Sequence, residues 1–231
     1  ALKNGKSKWI TGEIARSHAQ RLRAMSGAVI TGIGTLLADN ACMNVRQDEW
    51  DNKLAQEAGL DLDIEKYKIN QPIRVVIDPR LDIDLDCKWL EAPGEKWVII
   101  NNNLLDNLDD ETDERLKDKY QNKLDKLNKL ENVFVKNLIL EDKNLNNLLS
   151  ELYKAQVYDI LVEAGPSLTG SFLESGFVNE LWHYQAPCII GDKGMDFARM
   201  SEIDAMEDVL RGRVLFQEDL GVDFLRVISL G

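Results

Sequence analysis

Two arginines, Arg23 and Arg46, bracket a carboxylate, Asp39, near the start of the chain. Guanidinium groups grip oxyanions through a two-bond fork, so a pair of them suits a phosphate monoester. Asp39 between them could orient an amide or hydroxyl, or move a proton if burial raised its pKa. Each residue also has a plainer reading. Arg23 falls in the last turn of an expected helix, where the dipole stabilises a cation without any ligand. A loop arginine such as Arg46 commonly meets solvent or a surface carboxylate.

A second candidate lies far downstream, from Tyr158 to Ser171. An apolar strand ends at Glu163, Gly165 permits close backbone approach, and a helix is expected to begin near Ser167. Unpaired amides at a helix N-terminus attract anions. Gly165 and Gly170 do not make the G-x-G-x-x-G pattern, so a standard dinucleotide fingerprint is absent. Pro166 equally fits the first turn of a helix in an ordinary connection.

Other reactive side chains are less organised. Trp9 could pack in the core or lie beside a planar cofactor. His18 and His183 have no second ligand at metal spacing, so no metal is expected. No Ser-His-Asp or Cys-His constellation emerges, and Cys42, between Asp39 and Arg46, reads as packing.

These residues need a scaffold, and the apolar pattern predicts one. From Thr11 to Ser26, Ile14, Ala15, Ala19, Leu22 and Met25 recur at helical spacing, with Thr11 as N-cap and Gly27 as stop. Ala28–Ile33 reads as a buried strand leading into a loop that carries Asp39 and Arg46. Further strands are predicted at Ile73–Asp78, Trp97–Ile100, Val133–Val135 and Tyr158–Glu163.

Helices are expected over Leu145–Tyr153 and Ser167–Ser175. Leu116, Tyr120, Leu124 and Leu127 mark an amphipathic helix within residues 103–132, read as a peripheral insertion with a solvated charged face. The last third turns β-rich, with strands at Val178–Ala186, Arg213–Gln217 and Val222–Ser229 and a turn at Glu218–Gly221. The alternation predicts an α/β fold with a mostly parallel central sheet and helices on both faces. No repeat or linker divides the chain, which reads as a single domain over residues 1–231.

Composition excludes some functions. A formal charge of −12, from 40 acidic and 28 basic residues, disfavours nonspecific attraction to nucleic acid or an anionic membrane. Three cysteines without a CxxC pair give no closed disulfide framework, so reduced thiols and a cytoplasmic location are expected. No apolar run is long enough for a membrane span, and Ala1–Lys6 lacks the apolar core of a signal peptide.

Several segments together resemble the reductase domain of the riboflavin-biosynthesis deaminase/reductases, the 5-amino-6-(5-phosphoribosylamino)uracil reductases. They are Ser7-Lys8-Trp9-Ile10-Thr11, Leu22-Arg23-Ala24-Met25-Ser26 and Gly32-Ile33-Gly34-Thr35-Leu36-Leu37-Ala38-Asp39-Asn40. Downstream they continue as Val75-Val76-Ile77-Asp78, Glu163-Ala164-Gly165-Pro166-Ser167-Leu168-Thr169-Gly170 and Ala186-Pro187. Each is weak alone; their order and spacing over almost the whole chain carry the likeness.

The resemblance implies a dihydrofolate-reductase-like fold and NADPH-dependent hydride transfer to ribose C1′ of a phosphoribosylaminopyrimidine. It implies that Ser7, Arg23, Met43, Arg46 and Glu163 face the substrate, the arginines at its ribose phosphate. Trp9, Thr35 and Asp39 would face NADPH, with Asp39 or ordered water as proton source. Gly165, Pro166, Ser167, Leu168, Thr169, Gly170 and Ser171 would cradle the cofactor pyrophosphate. A homodimer or higher homo-oligomer is expected, with the β-rich C-terminal part facing the twin chain.

The chain departs from the family pattern at Ala41, where proline is usual, and at Met43, where leucine is usual. An upstream strand lining the cofactor site and an upstream zinc deaminase domain, marked by H-x-E and P-C-x-x-C, are not in this sequence. A fragment of a bifunctional parent, with lowered or absent activity, is the corresponding expectation. Two alternatives stand beside it: another dihydrofolate-reductase-like pterin or pyrimidine reductase, and a noncatalytic cofactor-binding or assembly module.

Overall fold

The computed structural model describes residues 1–2, 7–46, 71–102, 104, 114–140 and 145–231. Among these, the chain forms two compact units. One comprises Arg23–Val45 and the described residues up to Gly165. The other comprises Ala1–Leu22, Arg46 and Pro166–Gly231.

The unit containing Arg23 is built on five parallel strands: β1 (Ala28–Gly32), β2 (Ile73–Ile77), β3 (Lys96–Asn101), β4 (Val133–Leu138) and β5 (Ile160–Val162), in the order β4-β3-β2-β1-β5. Their composition explains the arrangement. Val, Ile and Trp occupy consecutive positions instead of alternating with polar residues, which suits strands covered on both faces. Val29, Val76, Val98 and Ile100 cluster on one face with Leu127, the last residue of a helix spanning Glu114–Leu127. The alternate positions Ala28, Ile30, Val75, Trp97 and Ile99 are buried too.

Helices supply the crossovers. α1 (Glu13–Met25) precedes β1, α2 (Ile33–Asp39) follows it, and α3 (Lys88–Glu91) lies between β2 and β3. α4 is the Glu114–Leu127 helix between β3 and β4, and α5 (Asn146–Lys154) lies between β4 and β5. From β1 to β4 the chain steps one way across the sheet; from β4 to β5 it steps back past β1. Right-handed crossovers therefore put α4 and α5 on opposite faces. Leu148 and Leu152 of α5 are fully buried.

The other unit carries α6 (Pro166–Glu174) and three antiparallel strands, β6 (Glu180–Gln185), β7 (Arg213–Leu220) and β8 (Asp223–Ser229), ordered β6-β8-β7. Leu225 and Val227 of β8 and Leu220 of β7 pack with Ala15, Ile14, Trp182 and Tyr184. The mostly parallel α/β sheet with helices, and the β-rich C-terminal part, agree with the sequence expectation.

Local details differ from it. The first helix begins at Glu13, and Gly12 rather than Thr11 is its cap: the Gly12 carbonyl accepts the Arg16 amide at 3.2 Å, while its own amide donates to Asp223 Oδ2 at 2.6 Å. A tertiary carboxylate thus replaces the local hydroxyl. The segment up to Asp39, expected as a loop, is α2, ended by Asn40 at φ 46°. The amphipathic helix expected as peripheral is the β3–β4 crossover; residues 103 and 105–113 of that stretch lie outside the described residues. The β7–β8 turn is Gly221–Val222 instead of Glu218–Gly221, because Leu220 still pairs with Asp223 and Gly221 takes φ +73°.

Candidate functional site

In an open parallel sheet, ligands bind beyond the carboxyl ends of the strands, where the strand order reverses. Here β1 and β5 are neighbours that do not follow each other in the chain. The Glu163 amide extends that ladder, donating to the Ile30 carbonyl at 3.0 Å, which brings the Glu163 side chain to the carboxyl end of β5.

Arg23, in the last turn of α1, meets it there. Nε donates to Glu163 Oε1 at 2.8 Å and Nη2 to Oε2 at 2.6 Å. Nη1 donates to the Asn44 carbonyl at 3.0 Å. The Arg23 side chain is 12% exposed and that of Glu163 27%, so the carboxylate is the more accessible partner. Its fork is engaged by a carboxylate of matching geometry, and the pair is neutral overall.

The Asn44 carbonyl joins residues 41–45 to this pair. Met43, expected to face substrate, is 4% exposed, has φ 54°, and belongs to the core cluster with Leu36 and Val76. Its apolar side chain is turned inward by the hydrophobic effect, leaving the backbone of Asn44 to meet Arg23. Asp39 stands exposed at the end of α2. Thr35 is half-buried in the same helix.

The other expected residues belong to the second unit. Ser7 is half-buried and its carbonyl accepts the Ile10 amide at 2.9 Å. Trp9 is 67% exposed, not a core residue, and the Arg16 guanidinium lies 4.3 Å from its ring centroid. That cation–π contact holds an indole face accessible at the surface. Arg46 is exposed, and its amide donates to Gln20 Oε1 at 3.0 Å.

Helix α6 begins with Pro166 at its first position, where a missing amide costs nothing. The space around Gly165 is open: a Cβ there would meet nothing within 4 Å. Gly170 is different. A Cβ there would lie 1.8 Å from the Arg199 carbonyl oxygen, and the Arg199 amide donates to the Pro166 carbonyl at 2.9 Å. Gly170 thus admits the backbone of Arg199 against the helix. Ser171 Oγ donates to the Ser167 carbonyl at 3.1 Å.

Arg74 and Gln71 escaped the sequence reading, and Asp78 entered it only within a motif. Arg74 is fully buried in β2 and donates to four carbonyls, those of Cys42, Trp89, Ala92 and Pro93. Gln71 pairs both ways with Val45 through its side-chain amide. Asp78 accepts the amides of Asp82 and Ile83, each at 2.8 Å, and thereby ends β2. The available signal was a lone arginine within an otherwise apolar strand, a charge that must find partners if buried.

Among the described residues no group of three or more His, Cys, Asp or Glu side chains is placed to hold a metal ion. No described helix is long and apolar enough to cross a membrane.

Comparison with known proteins places the chain in a family. Residues 1–209 match the model of the RibD C-terminal domain. The chain is 33% identical to the riboflavin biosynthesis protein RibD of Buchnera aphidicola subsp. Baizongia pistaciae, over 99% of this chain and 55% of that one. It spans about half the length of the RibD relatives it matches.

By contrast, a 29% identical protein of Buchnera aphidicola subsp. Acyrthosiphon pisum, named 5-amino-6-(5-phosphoribosylamino)uracil reductase, is matched over 98% of its length and 99% of this chain. Among solved structures, RibD of Acinetobacter baumannii superposes with a TM-score of 0.74 at 29% identity, covering 100% of this chain and 54% of that one. The protein thus belongs to the RibD C-terminal domain family.

Proposed function

We propose that this chain is a 5-amino-6-(5-phosphoribosylamino)uracil reductase of riboflavin biosynthesis, reducing the ribosyl group to the ribityl form with NADPH. The observation that carries the reading is the nearly end-to-end match to a relative bearing that name. The Arg23–Glu163 pair at the reversal point of the sheet supports it with chemistry.

Glu163, held in one orientation by Arg23, presents carboxylate lone pairs to N–H or O–H donors of a pyrimidine or an open-chain sugar. Arg46, exposed, serves the ribose phosphate, and Ser7 a polar group of the same substrate. When bound, NADPH supplies the hydride that reduces ribose C1′. The chain's part is to align the reacting carbons and exclude alternative geometries. The open face at Gly165 and the first turn of α6 fit the cofactor's pyrophosphate, because amides there lack helical partners. The exposed ring of Trp9 and the half-buried Thr35 fit its remaining parts. The same reading carries a cytoplasmic enzyme acting as a homodimer or higher homo-oligomer.

The test is NADPH oxidation by the chain with the phosphoribosylaminouracil substrate, followed by identification of the ribityl product. NADPH binding without oxidation would instead support a noncatalytic cofactor-binding module.

A further inference from the structure

Arg74 stands on the same face of the sheet as Val76, and its partners among the described residues are backbone carbonyls. Its Nη1 donates to the Cys42 carbonyl at 2.7 Å and the Trp89 carbonyl at 3.3 Å. Its Nη2 donates to the carbonyls of Ala92 and Pro93, at 3.0 and 2.5 Å. The guanidinium also faces the Trp89 ring at 5.7 Å. Only a planar fork with several donors can satisfy carbonyls from two separate segments; an ammonium cannot span them.

The Cys42 carbonyl is two residues from the Asn44 carbonyl that accepts Arg23 Nη1 at 3.0 Å. Between them Met43 adopts φ 54° with its side chain in the core. A non-glycine residue keeps that conformation only when its surroundings hold it. Arg74 holds one side of it. On the other, Gln71 Oε1 accepts the Val45 amide at 2.8 Å and Gln71 Nε2 donates to the Val45 carbonyl at 3.0 Å. The backbone that receives Arg23 is therefore clamped at both ends.

We propose that Arg74, assisted by Gln71, is a positioning residue for the Arg23–Glu163 pair, acting through the backbone of residues 42–45. Its relevance to catalysis rests on the reading of that pair as substrate-facing. Two observations fit. Burial, reinforced by the nearby positive charge of Arg23, pushes the Arg74 pKa down to about 10, which still leaves it charged at neutral pH. The strand position itself gains nothing from a charge, since apolar residues fill the rest of β2.

Arg74→Lys and Gln71→Met test this, the second as a milder change should the first not fold. In the ligand-free protein, the Arg23 Nε–H resonance is expected to be sharp and slow to exchange. Both variants should shift it or speed its exchange, while Lys154→Ala, at an exposed site, leaves it unchanged. In kinetics, either variant should raise KM for the phosphoribosyl substrate roughly fivefold or more, and combining it with Arg23→Lys should add less than about twofold beyond Arg23→Lys alone.

An unmoved Arg23 resonance in the folded variants, or KM effects that multiply, overturns the positioning role. Failure of the functional reading is separately visible. Substrate would then leave the wild-type Arg23 and Glu163 signals unperturbed, whatever Arg74 and Gln71 do to them in its absence.

Discussion

Arg23 and Glu163, separated by 140 positions in the chain, join in a two-bond guanidinium–carboxylate pair with contacts of 2.8 and 2.6 Å. The pair unites the end of the first helix with the end of the last parallel strand, so it fixes an acceptor where ligands enter such sheets. Replacing Glu163 by Gln keeps the size but leaves one acceptor oxygen and an amide facing Arg23. We expect kcat/KM for the phosphoribosyl substrate to fall about tenfold to a hundredfold, equivalent to about 1.5–3 kcal/mol for hydrogen bonds to a charged group. Steady-state kinetics of the folded variant checks it; an unchanged kcat/KM would remove Glu163 from the site.

Arg46 separates phosphate recognition from general binding. Arg46→Ala should weaken use of the phosphorylated substrate by about tenfold or more, and leave use of its dephosphorylated analogue nearly unchanged, because only the former presents an oxyanion to the fork. Equal losses with both compounds would place the phosphate elsewhere.

Gly165 and Gly170 are predicted to respond oppositely to alanine. Gly170→Ala forces a methyl group into the Arg199 backbone, and overpacking of that kind costs about 1–3 kcal/mol or more. Gly165→Ala meets open space, so its unfolding midpoint should stay near wild type while NADPH affinity falls. Denaturant unfolding and cofactor titration of both variants decide the matter; loss of stability at Gly165 would make it a folding residue.

His18 gives the fold a pH signature. Its Nδ1 lies 2.7 Å from the Tyr184 hydroxyl and its ring stacks on Trp182 at 5.7 Å. Burial, and secondarily the positive charge of Arg21, lowers its pKa, against a smaller opposing effect of Glu218. Because the folded value lies below the unfolded one, about 6.5, the neutral imidazole's contribution is intact above that pH. It is lost as pH falls through the folded pKa. Stability measured from pH 8 to pH 5 should decline below about 6.5, and His18→Gln should flatten that part of the profile. An identical slope in the variant would assign the decline to other groups.

Much of the scaffold was legible in local sequence because buried parallel strands must be continuously apolar. The runs at Ile73, Trp97 and Val133 announced β2, β3 and β4 within a residue or so at their N-terminal ends. Strand ends were less legible. Asp78 looks like a strand residue, but its carboxylate turns to the amides of Asp82 and Ile83 and stops the ladder. Likewise Asp39, Ala38 and Leu37 read as a loop beside Arg46, whereas their backbone continues as α2 until Asn40 enters the left-handed region.

The sequence by itself determined the order of elements, the family motifs and the candidate residues, since each depends on side-chain type and near-neighbour spacing. Only the tertiary structure decided their partners. It gave Arg23 a carboxylate partner, sent Met43 into the core, left Asp39 in solvent, and packed Gly170 against Arg199. A charged or small residue's role depends on which groups reach it across the fold. Those contacts join positions far apart in the chain, where local spacing carries no information about distance or burial.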